Sequence, residues 1–141
     1  MALKAVLDTR FFFALYSPSS TKQEDWCKSV VLESERSKKS ASRVYSASCI
    51  TVAELYENMG RVVGKDVVRL RIASIMNSGI EFMPINEEIC ELAGELKLNA
   101  GDLPMSDALI AATADLFAGG RVFSDDPCFK ELKNTRLTWI A

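Results

Sequence analysis

Short apolar runs alternate with longer stretches of helical periodicity along the whole chain. Residues 3–7 are almost wholly apolar and end on an acid, Asp8, the pattern of a strand covered on both faces. Residues 9–16 predict a short helix folding back over that strand. Residues 17–21, with Pro18 and three serines, predict a loop. An amphipathic helix is predicted over 21–38, with Trp26, Val30 and Val31 on one side and most of its lysines and Arg36 elsewhere. Residues 44–48 predict a second strand. The helix after it, to about Val63, is opened by Thr51-Val-Ala-Glu54, a capping-box pattern. Beyond Gly64, residues 65–77 predict a helix with Val67, Val68, Ile72, Ile75 and Met76 turned inward. Residues 79–84 predict a third strand stopped by proline, and Ile89, Leu92, Ala93 and Leu96 form the stripe of the next helix.

The most apolar helix follows Pro104, beginning near Ser106 and running through Leu109, Ile110, Ala112 and Thr113. A single carboxylate, Asp107, sits in its first turn, where an acid complements the helix dipole by about 0.3–1 kcal/mol. Gly119-Gly120 ends it, and residues 121–124 predict a fourth strand. Asp125-Asp126-Pro127 has the form of an Asp N-cap with proline at the first helical position, before a short helix over 128–133. A last strand is predicted near 137–140. Strands alternating with helices predict an α/β/α sandwich of three layers with a mainly parallel central sheet.

At 141 residues the chain is expected to form one domain with one core, and its 48% hydrophobic and 26% charged residues are ordinary for a globular protein. No apolar run reaches the length of a membrane span, and the N-terminal run is broken by Asp8 and Arg10, so a cytoplasmic protein is expected. Cys27, Cys49, Cys90 and Cys128 are too scattered for a Cys-x-x-Cys pair and are expected as free, buried thiols. There is no histidine. That excludes Ser-His-Asp and Cys-His nucleophilic sites and any imidazole acid or base. An enzyme made of this chain must work with carboxylates, lysines, hydroxyls or a metal.

Four acids stand out. Asp8 and Asp126 follow predicted strands, Glu54 lies one turn into a helix after a strand, and Asp107 begins a helix. Each has an ordinary explanation as a helix-capping group. In a parallel sheet, however, strand carboxyl ends and the following helix starts share one edge, so the four converge. Clustered carboxylates oppose folding and push one another's pKa values up unless a cation compensates. Mg²⁺ or Mn²⁺ suits an all-oxygen site of this kind and serves phosphoryl chemistry. The net charge of −2 does not argue against a phosphate-bearing partner, because setting those four acids aside leaves a positive remainder.

Four motifs now stand in order: Val6-Leu-Asp8-Thr9, Ser48-Cys-Ile-Thr-Val-Ala-Glu54-Leu, Met105-Ser-Asp107-Ala-Leu-Ile-Ala-Ala-Thr-Ala, and Phe123-Ser124-Asp125-Asp126-Pro-Cys-Phe129. With them the chain resembles, over nearly its whole length, the PIN-domain ribonucleases, especially the VapC-type toxins of toxin–antitoxin pairs. The resemblance implies a Rossmann-like sandwich and Mg²⁺- or Mn²⁺-dependent hydrolysis of RNA to 5′-phosphate and 3′-hydroxyl ends. It implies that Asp8, Glu54, Asp107 and Asp126 hold the metal, with Thr9 and Ser124 supporting them. It further implies a small antitoxin protein as inhibitor and a two-fold homodimer. Two features depart from the family pattern or leave it open. Arg10 stands where the family commonly has Ser or Asn, which either removes a hydrogen bond or adds a phosphate contact. Asp125 competes with Asp126 for the fourth position, and the spacing from Ser124 and to Phe129 favours Asp126. Two other readings remain: a catalytically degenerate PIN-like module that binds RNA or protein, and a phosphatase or phosphoacceptor built on Asp8.

Overall fold

The computed structural model describes residues 3–40 and 42–141. Five strands, β1 (Ala5–Leu7), β2 (Tyr45–Ser48), β3 (Glu81–Met83), β4 (Arg121–Phe123) and β5 (Arg136–Thr138), form one sheet in the order β3-β2-β1-β4-β5. Every pair is parallel. Six helices connect them: α1 (Thr9–Tyr16), α2 (Thr21–Lys39), α3 (Cys49–Val63), α4 (Lys65–Asn77), α5 (Glu87–Asn99) and α6 (Met105–Phe117). The segment after β4 is a 3-10 turn, Pro127–Glu131, rather than the α-helix predicted over 128–133.

Side chains alternate across a strand, so each strand feeds both layers. In β1, Ala5 and Leu7 join Phe11, Phe12, Cys27, Val30, Leu55 and Val68 from the α1–α4 side. Val6 points the other way, to Ile89, Ala93, Phe129 and the α6 residues Ala108, Ile110 and Ala111. The three-layer sandwich is therefore real, with a core on each face. Helix α6 is buried on most of its circumference, and its alanines let it lie close to the sheet and to α5. Helix α4 is less buried than its sequence predicts: Val68 and Ile75 face inward, but Val67 and Met76 are exposed. It packs chiefly on α3 and so needs only a narrow stripe.

The turn Gly119-Gly120 joins α6 to β4 with φ of 58° and 80°, the left-handed region that favours glycine. A Cβ on Gly120 would stand 1.8 Å from the Asn134 carbonyl oxygen. That close approach is what allows Gly120 O to accept the Arg136 N–H at 2.7 Å, at the start of the β4–β5 pair.

The strand order reverses between β1 and β4, which lie side by side while their connections run to opposite edges. Ligand sites of open α/β sheets form outside the carboxyl ends of strands at such a switch point. Asp8 is the residue after β1, and Ser124, Asp125 and Asp126 follow β4.

Candidate active site

Asp8 stands at the switch point, 2% exposed, with its backbone N–H on Phe123 O of β4. It occupies the N-cap position of α1, yet its side chain makes no cap hydrogen bond. Its Oδ2 instead accepts the Ser124 hydroxyl at 2.6 Å. Ser124 Oγ in turn accepts the Asp126 N–H at 3.0 Å, so one buried hydroxyl ties the ends of β1 and β4 together. Asp126 does cap the 3-10 turn, its Oδ1 accepting the Cys128 N–H at 2.9 Å.

Glu54 reaches the same place from α3. The capping box expected at Thr51 does not form, because the helix begins at Cys49 with Ser48 as its N-cap. Thr51 is buried instead, 3.0 Å from Thr9 Oγ1, and Thr9 Oγ1 lies 2.7 Å from Glu54 Oε1. Thr9 has one hydroxyl proton, which goes to the carboxylate, so Thr51 donates to Thr9. Asp107, in the first turn of α6, is 8% exposed.

Asp8, Glu54, Asp107 and Asp126 thus line one cavity of 140 Å³, with Thr9, Arg10, Phe13 and Asn58. Asp125 points elsewhere, into an adjoining cleft, where it is ion-paired with Arg10 Nε. Of the acidic doublet, only Asp126 faces the other carboxylates. Ser124 lies behind them, reaching the cavity through Asp8.

The electrostatics follow from burial. Desolvation pushes the Asp8 carboxyl up to about 6; the Ser124 hydroxyl and the Thr9 backbone N–H oppose the rise, and the charges of Glu54 and Asp126 add to it. Burial also pushes Asp107 up, to about 7, helped by the charge of Asp126 and by a proton shared with it. Burial raises Asp126 as well, but the Cys128 donors, the shared proton and Arg10 outweigh it, and the net shift is downward. Among the described residues, no lysine or arginine forms an ion pair with any of these four carboxylates. The donor set fits a hard divalent cation: all oxygen, partly buried and short of positive charge.

Three residues here carried no sequence signal of their own. Asn58 donates to Glu54 O at 2.8 Å, and its position one turn after Glu54 on α3 was the available clue. Phe13 bears the same relation to Thr9 on α1. The Cys128 thiol comes within 4.8 Å of ligand atoms of Asp107 and Asp126, a soft donor beside hard ones. The expectation of four buried thiols is corrected: Cys27 is buried, Cys49 and Cys128 are half-buried, and Cys90 is exposed.

The PIN domain family matches residues 5–134, and the chain belongs to that family. No curated protein matches it. Among solved structures, it is similar to VapBC2 from Rickettsia felis bound to a DNA fragment from its promoter, with a TM-score of 0.69 at 16% identity over 96% of this chain and 97% of that one. VapC20 from Mycobacterium tuberculosis, a toxin that cleaves the sarcin-ricin loop, gives 0.68 at 16% over 93% and 96%. A toxin–antitoxin complex from Klebsiella pneumoniae gives 0.63 at 20% over 94% and 95%. At these identities the likeness is one of fold. No helix of the described residues is long and apolar enough to cross a membrane.

Proposed function

We propose that this chain is a divalent-metal-dependent endoribonuclease and the toxin of a toxin–antitoxin pair. The observation that carries the reading is the convergence of four carboxylates, two of them buried and held well above the usual range, on one cavity at the sheet's switch point. Asp8, Glu54, Asp107 and Asp126 would hold Mg²⁺ or Mn²⁺. A bound cation of this type supplies Lewis acidity toward a phosphate and a nucleophile from water at neutral pH.

The chain's own residues do the positioning. Ser124 fixes the Asp8 carboxylate, and the Thr51–Thr9 pair fixes Glu54. Arg10 lines the cavity with only Nε engaged by Asp125, which leaves its terminal N–H groups to a phosphate oxygen.

An inhibitory partner is supported by structural relatives solved as toxin–antitoxin complexes. A second feature supports it: an apolar cleft of 280 Å³ lined by Phe13, Met59, Val62 and Val63, next to the carboxylates through Phe13. An amphipathic helix suits such a groove. A two-fold homodimer, which the family resemblance implies, completes the proposal.

The test is cleavage of total RNA by the purified chain with Mg²⁺ or Mn²⁺, against Asp107→Asn and a chelator. Metal-dependent cutting that falls by at least about 100-fold in Asp107→Asn is the expected result, since a metal ligand is lost. No cleavage with either metal, together with RNA binding that ignores chelator, overturns it in favour of a binding module.

A further inference from the structure

We propose that the cleft adjoining the carboxylate cavity is a nucleobase subsite, which seats the unpaired base beside the cleaved phosphate and reads its exocyclic amino group through Asp125. The proposal rests on the ribonuclease reading and names the part of the substrate that reading leaves open.

The cleft holds 360 Å³, within the range of small-ligand sites. Arg10 and Phe13 line both it and the carboxylate cavity, so a nucleotide with its phosphate at the carboxylates has its base at this opening. The wall of the cleft includes Trp139, and unstacked bases of single-stranded RNA are bound by stacking on aromatic rings.

That wall is braced. Gln23, 5% exposed, uses both ends of its amide on the brace: Oε1 accepts the Ser19 N–H at 2.8 Å and the Ser19 hydroxyl at 3.1 Å, and Nε2 donates to Ile140 O at 3.1 Å. The strand end carrying Trp139 is thereby tied to the α1–α2 loop. Trp139 also packs against Trp26, centroids 5.3 Å apart and planes at 73°. Such preorganisation lowers the ordering cost of binding.

Asp125 decides what occupies the cleft. A carboxylate is acceptor-only, so it rejects a phosphate and accepts an N–H. The backbone therefore stays in the carboxylate cavity, which Arg10 lines and Asp125 does not, while the base turns into the cleft. One oxygen of Asp125 takes Arg10 Nε, leaving the other to the base. A carboxylate accepts from the cytosine N4 amino group, whereas uracil presents a carbonyl oxygen there.

The test is binding of fluorescein-labelled tetracytidylate and tetrauridylate with Ca²⁺ in place of Mg²⁺ or Mn²⁺, followed by anisotropy. Wild type should bind tetracytidylate roughly tenfold more tightly. Trp139→Ala should weaken both by about fivefold or more, and Trp139→Phe, which keeps a ring in the core, should restore most of that. Asp125→Asn should flatten the cytosine-to-uracil ratio, a measure that cancels any uniform change from the lost Arg10 pair. Equal affinity of wild type for the two oligonucleotides, or affinities that none of the variants moves, overturns the subsite. Base discrimination in a chain that cuts no RNA with either Mg²⁺ or Mn²⁺ would uphold the subsite and sink the ribonuclease reading; metal-dependent cutting without discrimination would do the reverse.

Discussion

At the scale of single residues, the candidate site depends on hydroxyls as much as on acids. Ser124 donates to Asp8 and accepts from Asp126, so its removal leaves a buried carboxylate without its partner. Losing such a bond costs about 1–3 kcal/mol. Ser124→Ala should therefore lower stability by that amount in denaturant titrations. It should also move the Asp8 carboxyl further above about 6, because the Ser124 bond is the larger of the two that oppose the rise. Metal affinity should fall by about 10- to 100-fold, the usual effect of losing a group that orients a ligand, as read by Mn²⁺ titration. Thr9 acts similarly on Glu54 from the other side.

Elements place those residues, and the places where the chain must bend tightly carry much of the burden. The Gly119-Gly120 turn brings β4 beside β1 and lets Asn134 close on the backbone. Gly120→Ala puts a methyl group into the Asn134 carbonyl at a positive φ. It should cost at least about 1–3 kcal/mol in chemical denaturation, since neither backbone can yield cheaply. Gly64, also at positive φ, has open space around it, so Gly64→Ala should be the milder change. Helix α6 contributes in a different way, since its small apolar faces allow the burial that raises Asp107.

For the whole molecule, the carboxylate cluster makes stability depend on pH and, under the proposed function, on metal as well. Asp8 and Asp107 titrate near 6 and 7 when folded, against 3.8 as the ordinary value. The folded state thus holds protons that the unfolded chain has released, and stability falls as pH rises from about 4 to 7. For the buried Asp8 this is about 3 kcal/mol. Metal-free protein should accordingly melt at a higher temperature at pH 5.5 than at pH 8, by thermal unfolding in EDTA. The trend reverses at lower pH, where ion-paired carboxyls such as Glu33, held below the usual range by Lys4, become protonated. Mn²⁺ at pH 8 should raise stability by about 2.7 kcal/mol at a hundredfold excess over its dissociation constant. In Asp107→Asn that rise should vanish, while the metal-free protein gains stability because one buried negative charge is gone.

The amino-acid sequence by itself determined the alternation of strands and helices, the layer architecture and the four acids at strand ends and in the first turns of helices. Those follow from local periodicity and from the geometry of parallel sheets, which the chain cannot evade. It did not determine what each acid does with its oxygens. Asp8 and Glu54 look like capping residues in sequence, yet their partners are Ser124, 116 positions away, and Thr9, 45 positions away. Val67 and Met76 keep helical spacing but face solvent, because exposure depends on what packs against α4. The division of Asp126 to the cavity and Asp125 to the neighbouring cleft, with Arg10 between them, exists only once β1 and β4 lie side by side. Periodicity is a property of neighbours along the chain; burial, shared protons and paired charges belong to neighbours in space.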